Sequence, residues 1–246
     1  MKKLKRRLRQ FIRFTRDLQQ GLAFRWVKHK TSNLSDYPYY LELMQPIMPS
    51  TLLENKLHNI HLGAEQLHLL LWRPKEVLSF WQVLGEASQQ RGYREGRNII
   101  GGKLQQDFGG GLCQLSSILY HLALIANLKI IERHHHSVDI YQESERFTPL
   151  GDDATVVFGY KDLRLENSLT VPLVLWLQIE GKTLTARLYA AAPINKQLVS
   201  FEREYGEAYV IVQALTDSGQ VLANSCYTLA ANKPSAANSH INSSYE

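Results

Sequence analysis

Cysteine is scarce in this chain of 246 residues: only Cys113 and Cys226 occur. Two thiols cannot build a disulfide framework, and their spacing does not read as a zinc finger. A single bridge between them stays open, but a reducing compartment is the expectation, because a secreted reactive thiol risks oxidation. Long apolar runs are missing too. No stretch reaches the roughly 18 apolar residues of a membrane-spanning helix. The basic start continues as RQFIRFTRDLQQGLAFRW, with charges every few residues, so a secretory leader with an uncharged apolar centre is not expected. Acidic residues are almost absent from the first thirty positions. Eleven Lys and Arg stand there against Asp17 alone, a net of +10, whereas the rest of the chain carries 17 basic and 22 acidic residues, a net of −5. The overall +5 thus belongs to an N-terminal arm, and a nucleic-acid groove across the body is not expected. Internal repeats are lacking as well.

What is there suits a globular fold. Hydrophobic residues make up 44% and charged residues 21%, enough to bury a core without structural metal or disulfides. Residues 2–30 have helical periodicity: Leu4, Leu8, Phe11, Leu18, Leu22 and Trp26 fall on one stripe, and Lys5, Arg6, Arg9, Arg13 and Arg16 opposite. Such a helix suits an anionic membrane surface or a docking partner, and equally an ordinary surface face. Residues 31–50, with Pro38, Pro46 and Pro49, predict an extended connector, and residues 51–71 a helix that Trp72-Arg73-Pro74 breaks. His58 and His61 share a face of that helix, but no Cys or acidic pair completes a metal set. Residues 75–91 predict a further helix, 92–111 a glycine-rich loop, 112–126 a strong helix, and 129–133 a short strand. From residue 153 onward, runs of period two (ATVVFGY, LTVPLVLWLQIE, TLTARLYA, EAYVIVQALT) predict strands, with Gly181-Lys182 as a hairpin turn. Residues 231–246 are polar and read as disordered. The fold class is therefore α+β: N-terminal helices, a central cysteine-bearing helix on an antiparallel sheet, and a β-rich C-terminal half. Four parts are expected: the basic helix 1–30, a connector and helix 31–74, a main domain 75–230, and the tail 231–246.

The chemistry concentrates at Gly109-Gly110-Gly111-Leu112-Cys113-Gln114. Glycines let the chain turn tightly into a helix. Cys113 then lies in the first helical turn, where unpaired N–H groups and the positive end of the macrodipole favour a thiolate. On the helical wheel, Leu115, Leu119, Leu122 and Ala126 form the apolar stripe, and Cys113, Ser116, Ser117 and Tyr120 cluster opposite. A nucleophilic cysteine needs a base and an orienting group. His134 and His136, two apart, would share one face of a strand, with His135 on the other. Asp153, heading the ATVVF run, is the candidate orienter, with Asp139 as the weaker one. The order of cysteine on a helix, then His, then Asp on strands matches that of papain-like and transglutaminase-like enzymes, an analogy of element order alone. The alternatives are a buried structural cysteine, hydrogen-bonding histidines and an Asp153 that caps a turn. Cys113, His134 and His136 are also acceptable zinc ligands, but no fourth ligand is spaced nearby. No metal or cofactor is expected.

The stretch GGGLCQLSSILYHLAL, then Glu132-Arg133-His134-His135-His136-Ser137, then Asp153-Ala154-Thr155-Val156, resembles the VanW family. Asp162-Leu163-Arg164 and Asn167 also fit the family's later positions, while His135 stands where many members have proline. The resemblance spans about residues 75–190. It implies a link to cell-wall metabolism, peptidoglycan or glycopeptide resistance, without an established reaction.

Three functions compete. In a thiol enzyme acting on an amide, peptide or acyl bond, Cys113, His136 or His134, and Asp153 are catalytic; Gly110, Gly111, Gln114, Ser116 and Arg133 bind substrate, with Gln114 or nearby backbone N–H groups holding the oxyanion. In a non-catalytic module, the helix N-terminus with Arg133, His134 and His136 binds an anionic ligand. In a membrane-surface scaffold, residues 1–30 lead. The expected partners are a small-molecule or peptide substrate and an anionic membrane. The expected location is cytoplasmic, at the inner face of the membrane.

Overall fold

A computed structural model describes residues 2–100 and 103–230, together with the backbone of Ser243–Ser244. The chain opens with helix α1 (Lys2–Gln19), a one-turn 3-10 segment at Leu22–Phe24, strand β1 (His29–Lys30) and strand β2 (Tyr39–Pro46). Helix α2 (Leu53–Leu67), strands β3 (Leu70–Trp72) and β4 (Val77–Ser79) and the short helix α3 (Phe80–Leu84) follow. A hairpin of β5 (Glu95–Ile100) and β6 (Lys103–Phe108) leads into α4 (Leu112–Ile125), β7 (Lys129–Glu132) and β8 (Val138–Asp139). The remaining strands are β9 (Arg164–Glu166), β10 (Leu173–Glu180), β11 (Thr183–Ala190), β12 (Val199–Tyr205), β13 (Tyr209–Thr216), β14 (Val221–Leu229) and β15 (Ser243–Ser244).

The architecture is α+β. One antiparallel sheet has the order β1-β3-β10-β11-β2, and α4 packs on its β2 and β11 strands. A second has the order β15-β12-β13-β14-β8, with β8 joining in parallel. A three-stranded sheet, β4-β9-β7, meets the N-terminal helix where Arg164 of β9 bonds Asp17 of α1. The alternating pattern of β11, iBiBiBiB in burial, follows from its period-two sequence: Leu184, Ala186, Leu188 and Ala190 face the core. The hairpin turn at Gly181-Lys182 is where periodicity placed it, with Glu180 paired to Thr183.

Several expectations are corrected. The helix read over 2–30 ends at Gln19; Gly21, at φ 68°, stands just past its end. The connector at 31–50 contains β2, an eight-residue edge strand along β11, because Tyr39–Met44 can alternate exposed and partly buried side chains. The helix read over 51–71 stops at Leu67, and Leu70–Trp72 joins the sheet. The helix read over 75–91 is a strand, a five-residue helix and a 3-10 turn, since Leu78 and Phe80 are drawn into the core beside β9. The glycine-rich loop at 92–111 is mostly the β5–β6 hairpin. The ATVVF run is not a strand; only Val157 forms an isolated bridge, to Lys161. The expected tail at 231–246 lies outside the described residues except for β15.

Helix α4 is buried all round, from Leu112 to Ile125 with Cys113 alone partly open. The face opposite its leucine stripe is therefore a second interior surface: Ser116 Oγ donates to Ala154 O at 2.5 Å, and Ser117 Oγ accepts from the Ala154 N–H at 3.0 Å. These bonds lash the Asp153-Ala154-Thr155 segment to the first two turns of the cysteine helix.

Candidate active site

Gly111 caps the start of α4 in the left-handed region, φ 104°, a conformation that L side chains avoid. A Cβ there would also meet Lys56 Cγ at 2.8 Å. The turn brings the Leu112 N–H to Gly109 O at 3.2 Å and the Gln114 N–H to Gly111 O at 2.9 Å. Cys113 sits between them in the first helical turn, its sulfur 3.8 Å from Thr155 Oγ1. Both cysteines are free thiols, and Cys226 lies exposed on β14.

His136 lines the same cleft as Cys113, and its charge acts on the sulfur. Its other side belongs to Asp153. Asp153 Oδ2 accepts from His136 Nδ1 at 2.5 Å and from the His136 backbone N–H at 2.7 Å. With Nδ1 engaged, Nε2 is the ring nitrogen left to serve the thiol. Asp153 is itself anchored on its second oxygen by Tyr227 Oη, which donates, and by Arg133, 3.2 Å away. His136 is thus held by Asp153 on one side and shares the cleft with Cys113 on the other.

The protonation pattern follows. Burial pushes the Cys113 thiol up, but His136 and the bonds from Val156 and Thr155 outweigh it, so the thiol titrates below its ordinary value. Burial pushes the His136 imidazole down, and the bond to Asp153 and the facing sulfur overturn this, lifting it to about 10. Burial raises the Asp153 carboxyl, yet His136, Arg133 and Tyr227 hold it far below the carboxylate range. Both shifts run toward the charged pair, thiolate and imidazolium, and away from the neutral one.

The other candidates divide. His134 does not face Cys113. Its Nε2 donates to Glu132 Oε1 at 2.9 Å. The shared face expected for His134 and His136 needed a continuing strand, and β7 ends at Glu132 after a register shift against β9. His135 turns to the His136 carbonyl at 2.6 Å and packs on Tyr227. Arg133, expected to touch substrate, has a side chain only 6% exposed. It bonds the carbonyls of Asp153 (2.8 Å) and Gly151 (2.7 Å) and Ser225 Oγ (2.6 Å), and lies over the Tyr120 ring. Ser116, likewise expected to bind substrate, is fully buried on Ala154. Asp139 pairs with Arg146 instead of a histidine. Among the described residues, no group of three or more His, Cys, Asp and Glu is placed to hold a metal ion.

The sulfur opens into a cleft of about 620 Å³ lined by Gly110, Gly111, Gln114, His136, Lys56 and Tyr141, among others, a volume that suits a small molecule or a peptide segment. Gln114 Nε2 donates to Pro46 O at 2.8 Å, while its Oε1 is buried with no hydrogen-bond partner among the described residues. Desolvation lowers the Lys56 ammonium to about 8. Lys56, Tyr141 and Tyr227 escaped the sequence reading: nothing in their local patterns marks them, and Tyr227 reaches the site across 74 residues. One wall is fixed by backbone. A Cβ on Gly110 would lie 2.5 Å from Gly96 Cα, so the hairpin strand β5 and the start of α4 touch main chain to main chain.

The family model described as "VanW like protein" matches residues 55–189. The chain belongs to the VanW family. It is 33% identical over 137 residues to the vancomycin B-type resistance protein VanW of Enterococcus faecalis, covering 56% of this chain and 50% of that one. It is 33% identical over 145 residues to the uncharacterized protein YoaR of Bacillus subtilis, covering 59% of this chain and 46% of that one. The chain thus spans about half the length of the curated relatives it matches. No solved structure matches it. The VanW stretch runs from α2 into β11 and holds Cys113, His136, Asp153 and Arg133, whereas Tyr227 on β14 and the whole of α1 lie outside it.

Proposed function

We propose that this VanW-family protein is a thiol enzyme that cleaves or transfers an amide or acyl bond. The observation that carries the reading is Asp153 gripping both the ring Nδ1 and the backbone N–H of His136, which lines the same open cleft as Cys113. This is the nucleophile, base and orienter relation that covalent catalysis requires. The Cys113 thiolate attacks the carbonyl carbon, and the carbonyl π electrons move onto oxygen. His136 then gives its proton to the leaving nitrogen or oxygen as the tetrahedral intermediate collapses to a thioester. Water or an acceptor amine, its proton taken by His136, attacks the thioester and frees the Cys113 sulfur. The helix-start amide of Cys113 is the donor best placed to meet the oxyanion. The unpartnered Gln114 Oε1 supplies an acceptor for a substrate N–H, and Lys56 a cation for a carboxylate. The name of the Enterococcus faecalis relative favours a cell-wall precursor or peptide as substrate.

Iodoacetamide labelling followed site by site tests the reading, because the exposed Cys226 is a reference thiol in the same chain. The expected result at neutral pH is Cys113 alkylated about tenfold or more faster than Cys226, with the advantage lost in His136→Ala. Equal rates at the two thiols would reject the enzyme reading. A non-catalytic anion-binding module is the second reading, and it rests on the same helix start and Lys56. It requires ligand binding to survive Cys113→Ser.

A further inference from the structure

Helix α1 is seated the opposite way round from an ordinary surface helix. Its inward face is charged. Asp17, 4% exposed, meets Arg164 through two bonds of 2.6 and 2.9 Å. Arg13 grips Glu132 at 2.7 and 3.1 Å, Arg6 pairs with Glu86, and Arg9 lies over the Tyr160 ring. The outward face is apolar: Leu4, Leu8, Phe11, Ile12, Phe14 and Leu18 are all exposed, with Phe11 at 64%, and Phe24 beyond the helix end reaches 80%. A helix normally buries such a stripe against its own core. Contiguous exposed apolar surface of this kind marks an interaction site.

The charges choose the occupant. Arg7 and Arg16 are exposed beside the stripe and make no ion pair among the described residues. Residues 1–30 carry eleven basic side chains against one acid, and that acid is spent on Arg164. A second copy of this face would bring like charge against like charge. We infer that α1 lays its outward stripe into an anionic lipid surface, with Phe11, Phe14 and Leu18 entering the acyl boundary and Arg7 and Arg16 reaching the phosphates. An interfacial helix of this class combines buried apolar area with electrostatic attraction. At about 1.5 Å per residue, the 18 residues of α1 lie flat along the surface and do not cross it.

Cosedimentation of the full chain with vesicles of phosphatidylcholine alone or mixed with phosphatidylglycerol tests the inference. The expected result is binding to the mixed vesicles about tenfold or more tighter than to phosphatidylcholine, and weakened by added salt, which screens exposed charges. Phe11→Asp and Arg7→Glu should each weaken it severalfold without changing the thermal midpoint, since neither side chain takes part in seating the helix. Absence of pelleting with the mixed vesicles overturns the inference. So does a dimer in sedimentation velocity that Phe11→Asp dissolves, because the stripe is then covered by a second copy.

Discussion

Two clusters of buried charge flank the segment that runs from Glu132 to His136, and its residues are dealt alternately between them. Arg133 and His136 go to Asp153 beside Cys113. Glu132 and His134 go to the seat of α1, with Arg13, Asp17, Asp162 and Arg164. The ingredients are the same: carboxylates, guanidiniums and one imidazole in each. The difference lies in saturation. In the α1 seat, Asp17 is closed by Arg164, and Asp162 by Ser79, the Trp81 N–H and Arg164. Glu132, drawn down to about 2 despite its burial, is closed by His134, Arg13 and the Asp162 N–H. The other cluster ends in a sulfur that faces a cleft. Buried charges hold a fold together where every partner is present; where a charged cluster borders a thiol open to a cleft, the arrangement is the kind that perturbs reactivity.

Substitutions can pull the clusters apart. The largest expected effect is at the open end. Cys113→Ala removes any acyl-transfer activity, a fall of about 10⁴-fold or more, while the thermal midpoint stays near that of the parent. Asp153→Asn comes next: Cys113 alkylation at neutral pH should drop by about 10²-fold or more, and urea unfolding should show a cost of about 3 kcal/mol, because Arg133 is left buried without its carboxylate. Arg164→Met belongs to the other cluster. It strands Asp17 and Asp162, so urea unfolding should register a loss of about 3–5 kcal/mol, yet Cys113 in the folded fraction should react at the parental rate. A parallel fall in that rate would merge the two clusters into one. His134→Asn, the smallest of the set, should change Cys113 labelling by less than about threefold, since a partly exposed pair contributes under about 1 kcal/mol.

The contrast also has a pH signature. His136 is raised to about 10, so its stabilising contribution is complete below the ordinary imidazole value of about 6.5 and fades as pH rises through about 10. Asp153 is depressed; its contribution is present above the ordinary carboxyl value of about 4 and fades as pH falls below that. Thermal midpoints measured across pH should therefore fall at both ends, and Asp153→Asn should flatten the alkaline fall. An unchanged alkaline slope in that variant would remove Asp153 as the partner of His136.

Cys113, His136 and Asp153 could be singled out in the sequence because each rides on a local pattern: a glycine run before a helix, and two short motifs in order. The choice between His134 and His136 could not be made there. Residue spacing on an assumed strand cannot register that pairing stops at Glu132. Arg133 was misplaced for a related reason, since a charge in a motif suggests a ligand until its burial is known. The β5–β6 hairpin did leave a trace, because a Gly101-Gly102 pair between two six-residue runs is a hairpin signal, obscured by the glycines around it. Tyr227 left none. The β-rich C-terminal half was read correctly from alternation alone, whereas the stripe read over residues 2–30 divides: Leu4, Leu8, Phe11 and Leu18 are exposed on α1, and Leu22, past its end, is buried. That Leu4, Leu8, Phe11 and Leu18 face outward depended on Arg164 and Glu132, more than a hundred residues away.

The contact between Gly96 and Gly110 sets a gauge for the cleft. Where side chains form a wall, drift in sequence can widen or narrow a pocket by a methyl group at a time. Here two bare main chains abut, and there is nothing on either to trim. Change in what the cleft accepts then falls to the side chains that line it, such as Met48, Tyr141 and Phe147. The glycine side acts as a fixed jaw against which any such change is measured.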